Sequence, residues 1–203
     1  MMFEEKEVLR LRQYKPGDAE TIISWCRDEE SFRKWTSDRY DSFPITAEDM
    51  NRKYIDNNGD CEEADNFYPM TAFDENGIVG HLILRYMDAA KTHIRFGFVI
   101  VSDQRRGQGY GKKMLQLALD YAFNIFGAEK VTLGVFDNNP PAINCYKAAG
   151  FVPFGEKEIE FFGKKWKCIE MQILRSSKLN FLLSSLSFQI LVSVWHSCFR
   201  PSF

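Results

Sequence analysis

The stretch that most narrows the fold runs from residue 93 to residue 136, where "HIRFGFVIV" passes through "SDQRRGQGYG" into "KKMLQLALDYAFNIFG" and then "KVTLGVF". The first and last segments read as strands. Between them Met114, Leu115, Ala118, Tyr121 and Ile125 recur at helical spacing, which predicts a helix from near Gly109 to Gly127. Gly97, in the middle of the first strand, points to a bulge or a close backbone approach. A chain that turns from a strand into a helix leaves the first helical N–H groups unpaired. They aim at one spot, together with the positive end of the helix dipole, and such a spot attracts phosphate. Gly107, Gly109 and Gly111 let a ligand approach the main chain, while Arg105, Arg106, Lys112 and Lys113 add charge. The alternative at this point is a solvated basic turn whose glycines only cap a helix. Two named phosphate loops fit poorly. A Walker A loop needs Ser or Thr after its lysine, and here Lys112 precedes Lys113 and Met114. A dinucleotide fingerprint needs GxGxxG after an early strand, and this loop runs GxGxG after a hairpin.

Around this unit, "VLRLRQY" (8–14) alternates like a half-buried strand, and "KPGD" follows with Asp18 as a helix N-cap for a helix from Ala19 to about Arg27. Residues 31–54 look helical in pieces, with Thr46 and Asp49 as a capping box, and are read as a cover over a pocket. The acidic loop 56–65 lacks EF-hand spacing. "FYPMTAF" and "IVGHLILRYM" form a hairpin around "DENG". "PPAINCYKAAG" reads as a short helix, "FVPFG" as an outgoing strand, and "EIEFFGKKWKCIEMQIL" as a last hairpin turning at Gly163–Lys164. The expectation is an α/β domain on a mixed sheet over residues 1–175 and an extension over 176–203.

The chain has 203 residues, 45% of them hydrophobic, enough for a sizeable core, and its formal net charge of −2 gives no global attraction to nucleic acid or an anionic membrane. Five scattered cysteines without a CxxC pair fit neither a zinc site nor a disulfide framework. No metal is expected, and a reduced, cytoplasmic protein is, because "MMFEEKEVLR" has no apolar core of the kind a secretory signal requires. The apolar, serine-rich extension is read as a packing or oligomerisation segment, as in a homodimer. A disordered extension and a membrane anchor are the alternatives.

The strand, the RxxGxG loop and helix, the next strand, and then "NNPPAINCYKAAGF" together resemble the GNAT superfamily of N-acetyltransferases. Arg106, Gly109 and Gly111 match its signature, and Asn139, Ala142, Tyr146, Gly150 and Phe151 match its second motif. The resemblance spans roughly residues 8–174. It implies the GNAT-type acyl-CoA N-acyltransferase fold, α+β, with a central, mixed, mostly antiparallel twisted sheet flanked by helices. It also implies acetyl-CoA as co-substrate, with its pyrophosphate beside Arg106 on the loop amides of Gly107, Gln108, Gly109, Tyr110, Gly111 and Lys112. The pantetheine arm would run beside Val99, Ile100 and Val101, where the amide of Val99 or Ile100 would polarise the thioester carbonyl. Asn139 would contact the cofactor arm, and Tyr146 would be the general acid toward the departing thiolate.

The chain departs from the family's pattern where a base would stand. Related enzymes carry a glutamate on the central strand or on the next one, and here those places are Arg95 and Gly134. His81 and His93 lie on neighbouring strands and could titrate near neutrality, so the base stays unassigned. Arg95 is a candidate for holding an acidic group of the substrate, and Trp35, Asp38 and Arg39 are candidates for the acceptor pocket. Cys145 reads as a packed thiol. The expected activity is acetyl transfer to a primary amine of a small molecule, peptide or protein N-terminus. The alternative is a non-catalytic acyl-CoA-binding sensor or scaffold.

Overall fold

The computed structural model describes residues 8–161 and 164–177. Among them, strands β1 (Arg10–Gln13), β2 (Tyr68–Asp74), β3 (Gly77–Tyr86), β4 (His93–Val101), β5 (Lys130–Phe136), β6 (Val152–Phe161) and β7 (Lys164–Leu174) form one sheet. Its order is β1-β2-β3-β4-β5-β7-β6. All pairings are antiparallel except β4 with β5, and that parallel pairing covers only His93–Arg95 against Lys130–Thr132. Beyond it the two strands part. β5 keeps its other edge paired with β7 from Lys130 to Phe136, so the sheet opens at one place, between the far halves of β4 and β5.

A bulge in β4 accompanies the opening. The β3–β4 register passes from Ile83–Gly97 to His81–Ile100, so Phe98 and Val99 together face Leu82. Phe98 takes the extra residue's strain at φ 49°. The bulge exchanges the two faces of the strand. Ile94 and Phe96 lie in one core with Leu82, Met114, Leu115 and Phe151, whereas Phe98 and Ile100 lie in the other with Ile22, Phe32, Trp35 and Met50. The glycine that marked this strand sits one residue before the bulge. A Cβ at Gly97 would stand 3.1 Å from the Ile83 side chain, so the close approach is at 97 and the extra residue is at 98.

Helices cover both faces. α1 (Ala19–Ile23), α2 (Glu29–Thr36) and α3 (Ala47–Asn51) supply the second core, and α4 (Tyr110–Asp120) and α5 (Pro140–Ala148) supply the first. α4 widens through Tyr121–Ile125 before Gly127, close to the expected span. The Thr46–Asp49 capping box forms as expected, with the Asp49 amide donating to Thr46 Oγ1 at 3.1 Å and the Thr46 amide to Asp49 Oδ2 at 2.9 Å. The last strands differ from expectation. β6 is one continuous edge strand in which a register shift between Pro153 and Gly155 absorbs the proline's missing N–H. Gly163 of the expected turn lies outside the described residues, as do 178–203 of the extension and Cys198 within it. Among the described residues no helix is long and apolar enough to cross a membrane.

Asp18 stands at the expected N-cap position of α1, but its side chain does other work. It makes no side-chain cap on α1, which stops at Ile23. Instead its carboxylate is buried and accepts two hydrogen bonds from Arg12, at 2.7 and 2.8 Å, one from Thr71 Oγ1 at 2.8 Å and one from the Lys15 amide at 3.0 Å. A buried carboxylate is tolerated only when it is paired and hydrogen-bonded, and these four donors meet that need. Burial alone would raise this carboxyl, but the donors outweigh it and hold it below its ordinary value. Its stabilising contribution is therefore complete above the ordinary carboxylate range and is lost as pH falls through the lowered value. Asp18→Asn is expected to cost about 2 to 3 kcal/mol in chemical denaturation at neutral pH, and the deficit relative to the parent should shrink in acid.

Candidate active site

The parting of β4 from β5 opens a cavity of about 1020 Å³. α2 roofs one end with Trp35, the loop before α4 forms the other end, and α5 presents Tyr146 to the middle. Trp35 fixes the roof to the bulge, since its indole N–H donates to the Phe98 carbonyl at 2.7 Å.

At the loop end, Gly109 is the N-cap of α4 with φ 83°, and Gly107 has φ 76°. Both lie in the left-handed region that favours glycine. Gly111 is needed for another reason. A Cβ there would stand 2.9 Å from Cys145 Sγ, so α4 and α5 meet through it. Arg106 ties the loop down, donating to the carbonyls of Val101 at 3.2 Å and Trp25 at 3.3 Å. Arg105 lies over the Tyr110 ring, 5.3 Å from its centroid. Tyr110 itself is buried and donates to Asp74 at 3.1 Å.

In the middle, Tyr146 is 7% exposed, and among the described residues no hydrogen bond holds its hydroxyl. Burial pushes its phenol well above the ordinary value, which keeps the proton on oxygen throughout the physiological range. Asn139 caps α5 by accepting from the Ala142 amide at 3.4 Å, and it also lines the cavity. Burial likewise raises the Cys145 thiol, so it stays protonated and inert as a nucleophile.

The end of the cavity remote from the loop is cationic. Arg95 grips Glu170 of β7 with two hydrogen bonds, at 2.6 and 3.1 Å, and Lys157 reaches the same carboxylate at 2.7 Å. Burial opposes ionisation of Glu170, but these two cations outweigh it and hold the carboxyl below its ordinary value. Arg85 stands directly opposite Arg95 in the β3–β4 register, and Arg39 lines the mouth. Neither histidine lines the cavity. His81 is fully buried, bonded to the Tyr54 hydroxyl at 3.0 Å, and burial depresses it to about 3. His93 is bonded to Thr132 Oγ1 at 2.8 Å, and burial and Lys130 lower it as well. Both are bonded into the fold away from the cavity wall, so neither stands where a base would act.

A profile of the acetyltransferase (GNAT) family matches residues 21–151. The chain belongs to the GNAT family. The spermidine N(1)-acetyltransferase of Vibrio cholerae is 28% identical over 176 residues, covering 85% of this chain and 96% of that protein. The spermidine N(1)-acetyltransferase of Escherichia coli K12 is 25% identical over 155 residues, covering 76% of this chain and 78% of that protein. The crystal structure of the V. cholerae spermidine N-acetyltransferase in complex with CoA and spermine matches the fold with a TM-score of 0.70 at 25% identity, over 84% of this chain and 98% of that one. This GNAT chain is an N-acetyltransferase that takes its acetyl group from acetyl-CoA.

Most of the residues that the sequence named for the donor meet in the cavity of this GNAT domain. Val99, Ile100, Val101, Arg106, Gly107, Gly109, Gly111, Lys112, Asn139 and Tyr146, named from the sequence, all line it. Gln108 and Tyr110 do not. Gln108 donates to the Gln104 carbonyl at 2.8 Å, and the Tyr110 ring belongs to the core. Of the acceptor candidates Trp35 and Arg39 line the cavity, while Asp38 pairs with Arg33 instead. Arg85, Lys157 and the Glu170 partnership went unread in the sequence, because they are set by strand registers that no local pattern displays. For Gly109→Glu, strained at positive φ and adding an anion to the loop, the expected outcome is a folded protein about 1 kcal/mol less stable whose thermal midpoint no longer rises with acetyl-CoA.

Proposed function

We propose that the chain acetylates a primary amine in the cytosol, with the donor's pyrophosphate on the amides between Gly107 and Lys112 and on Arg105, Arg106 and Lys112. The pantetheine arm lies along Val99–Val101 in the gap left by β5. The free thiols Cys26, Cys61, Cys145 and Cys168 are consistent with a reducing compartment. Bound acetyl-CoA supplies an activated acyl group as a thioester. The chain contributes the rest: the β4 bulge offers main-chain donors to an oxygen gaining charge, and Asn139 offers its amide to the arm.

The observation that carries this reading is Tyr146, a buried phenol on the wall of the split, held protonated and free of partners among the described residues. A proton kept on oxygen in a dry site is available to the sulfur as it leaves. Because the phenol titrates far above the working range, its role as an acid imposes no fall in rate on the alkaline side until high pH. The Tyr146→Phe variant should lower kcat about a hundredfold, with the acetyl-CoA-induced thermal shift retained. An unchanged kcat in an assay limited by the chemical step would remove the assignment.

A further inference from the structure

The walls of the cavity carry no aspartate or glutamate among the described residues, yet lysines and arginines line both ends. The donor's phosphates account for the loop end. They do not account for the far end. Arg95 lies six residues before Val101 on β4, about 20 Å along the strand at roughly 3.3 Å per residue. Arg95 and Lys157 there are already shared with Glu170. Arg85 and Arg39 are not: among the described residues neither has an ion-pair partner. Like charges opposite one another in an antiparallel pair are unfavourable, and Arg85 faces Arg95 in that way. Arg39, Arg85 and Arg95 all line this cavity, and desolvation together with the fields of Arg85 and Arg95 lowers Arg39 from its ordinary value. Asp60 pairs with Lys53 and Asp38 with Arg33.

Resting on the transferase reading above, we propose that the acceptor is a primary amine that also carries an anionic group, a carboxylate or a phosphate, and that Arg39 and Arg85 hold it. A guanidinium presents a planar fork of donors suited to either group. The same field disfavours a polyamine, whose several charges would meet arginines and find no free carboxylate on the wall. The anion holds the molecule at the far end and leaves the amine at its other end, toward the thioester.

The test uses the full chain and four sets of ligands: α-amino acids and ω-amino carboxylates, aminoalkyl phosphates, the uncharged amides and alcohols of both, and spermidine. Thermal melts in the presence of CoA read binding without turnover, and release of CoA thiol reads kcat/KM. The anionic amines should raise the midpoint and be preferred over their uncharged counterparts by about tenfold or more. Carboxylates against phosphates then identify the group. Arg39→Gln and Arg85→Gln should each collapse that preference toward unity while the thermal shift with acetyl-CoA alone persists. Preference for spermidine or for the uncharged amines, or a preference for anions that survives both substitutions, would overturn the anionic acceptor only. Loss of the shift with acetyl-CoA in the parent protein would overturn the transferase reading and this inference with it.

Discussion

Everything at the site follows from three residues of parallel pairing and no more. β4 and β5 hold together over His93–Arg95 and Lys130–Thr132, and then each satisfies its main chain elsewhere, β4 against β3 and β5 against β7. A parallel sheet with a hole in it would normally expose a row of unpaired amides and carbonyls at a cost. In the proposed binding mode the two inner edges of the split offer those groups to the donor, which would pair with them much as an added strand does. The bulge at Phe98–Val99 belongs to the same device. It interrupts the ladder beside the split and gives Trp35 a carbonyl to grip.

The bulge also explains why the two faces of β4 can serve different masters. Without it, Phe98 and Ile100 would stay on the face of Ile94 and Phe96, under α4 and α5. With it, they turn to α1–α3 and make the second core. The roof of the cavity is thus anchored in the strand that lines it. The small residues nearby mark the remaining close contacts: a Cβ at Gly134 would stand 2.7 Å from an Arg95 guanidinium nitrogen and 2.9 Å from Cys168 Sγ. A glutamate at that position, as in part of the family, would need the space that Arg95 fills. The carboxylate on this chain comes instead from Glu170, the register partner of Gly134 on β7.

What could be read in the sequence and what could not divides along physical lines. The glycine loop, α4 and the Asn139–Tyr146 helix are local: each is specified by spacing, capping and positive φ within a dozen residues, and each was read where it stands. The capping box at Thr46 and Asp49 was equally local. Asp18 was misread because an exposed cap and a buried anchor look alike until Arg12 and Thr71 are placed beside it. Arg85, Lys157 and Glu170 went unread because they become a constellation only through three strand registers, one shifted by the bulge. Local chemistry therefore disclosed the donor end, and only the sheet disclosed the acceptor end.

That asymmetry bears on how far likeness to the polyamine enzymes reaches. Family membership rests on a match over residues 21–151 and on the fold, and neither names the acceptor. The acceptor end is built from residues that register brings together, and such residues can change sign without disturbing the fold, since a strand position facing a cavity carries little packing. Reversing the charge of a wall changes which molecule is held by more than any single contact does, because Coulomb terms act on the whole substrate in a site of low dielectric. One carboxylate shared by two cations, beside two arginines with no ion-pair partner among the described residues, leaves a net positive wall. A wall of that sign favours a molecule that brings a negative end to it over one that brings only positive charge.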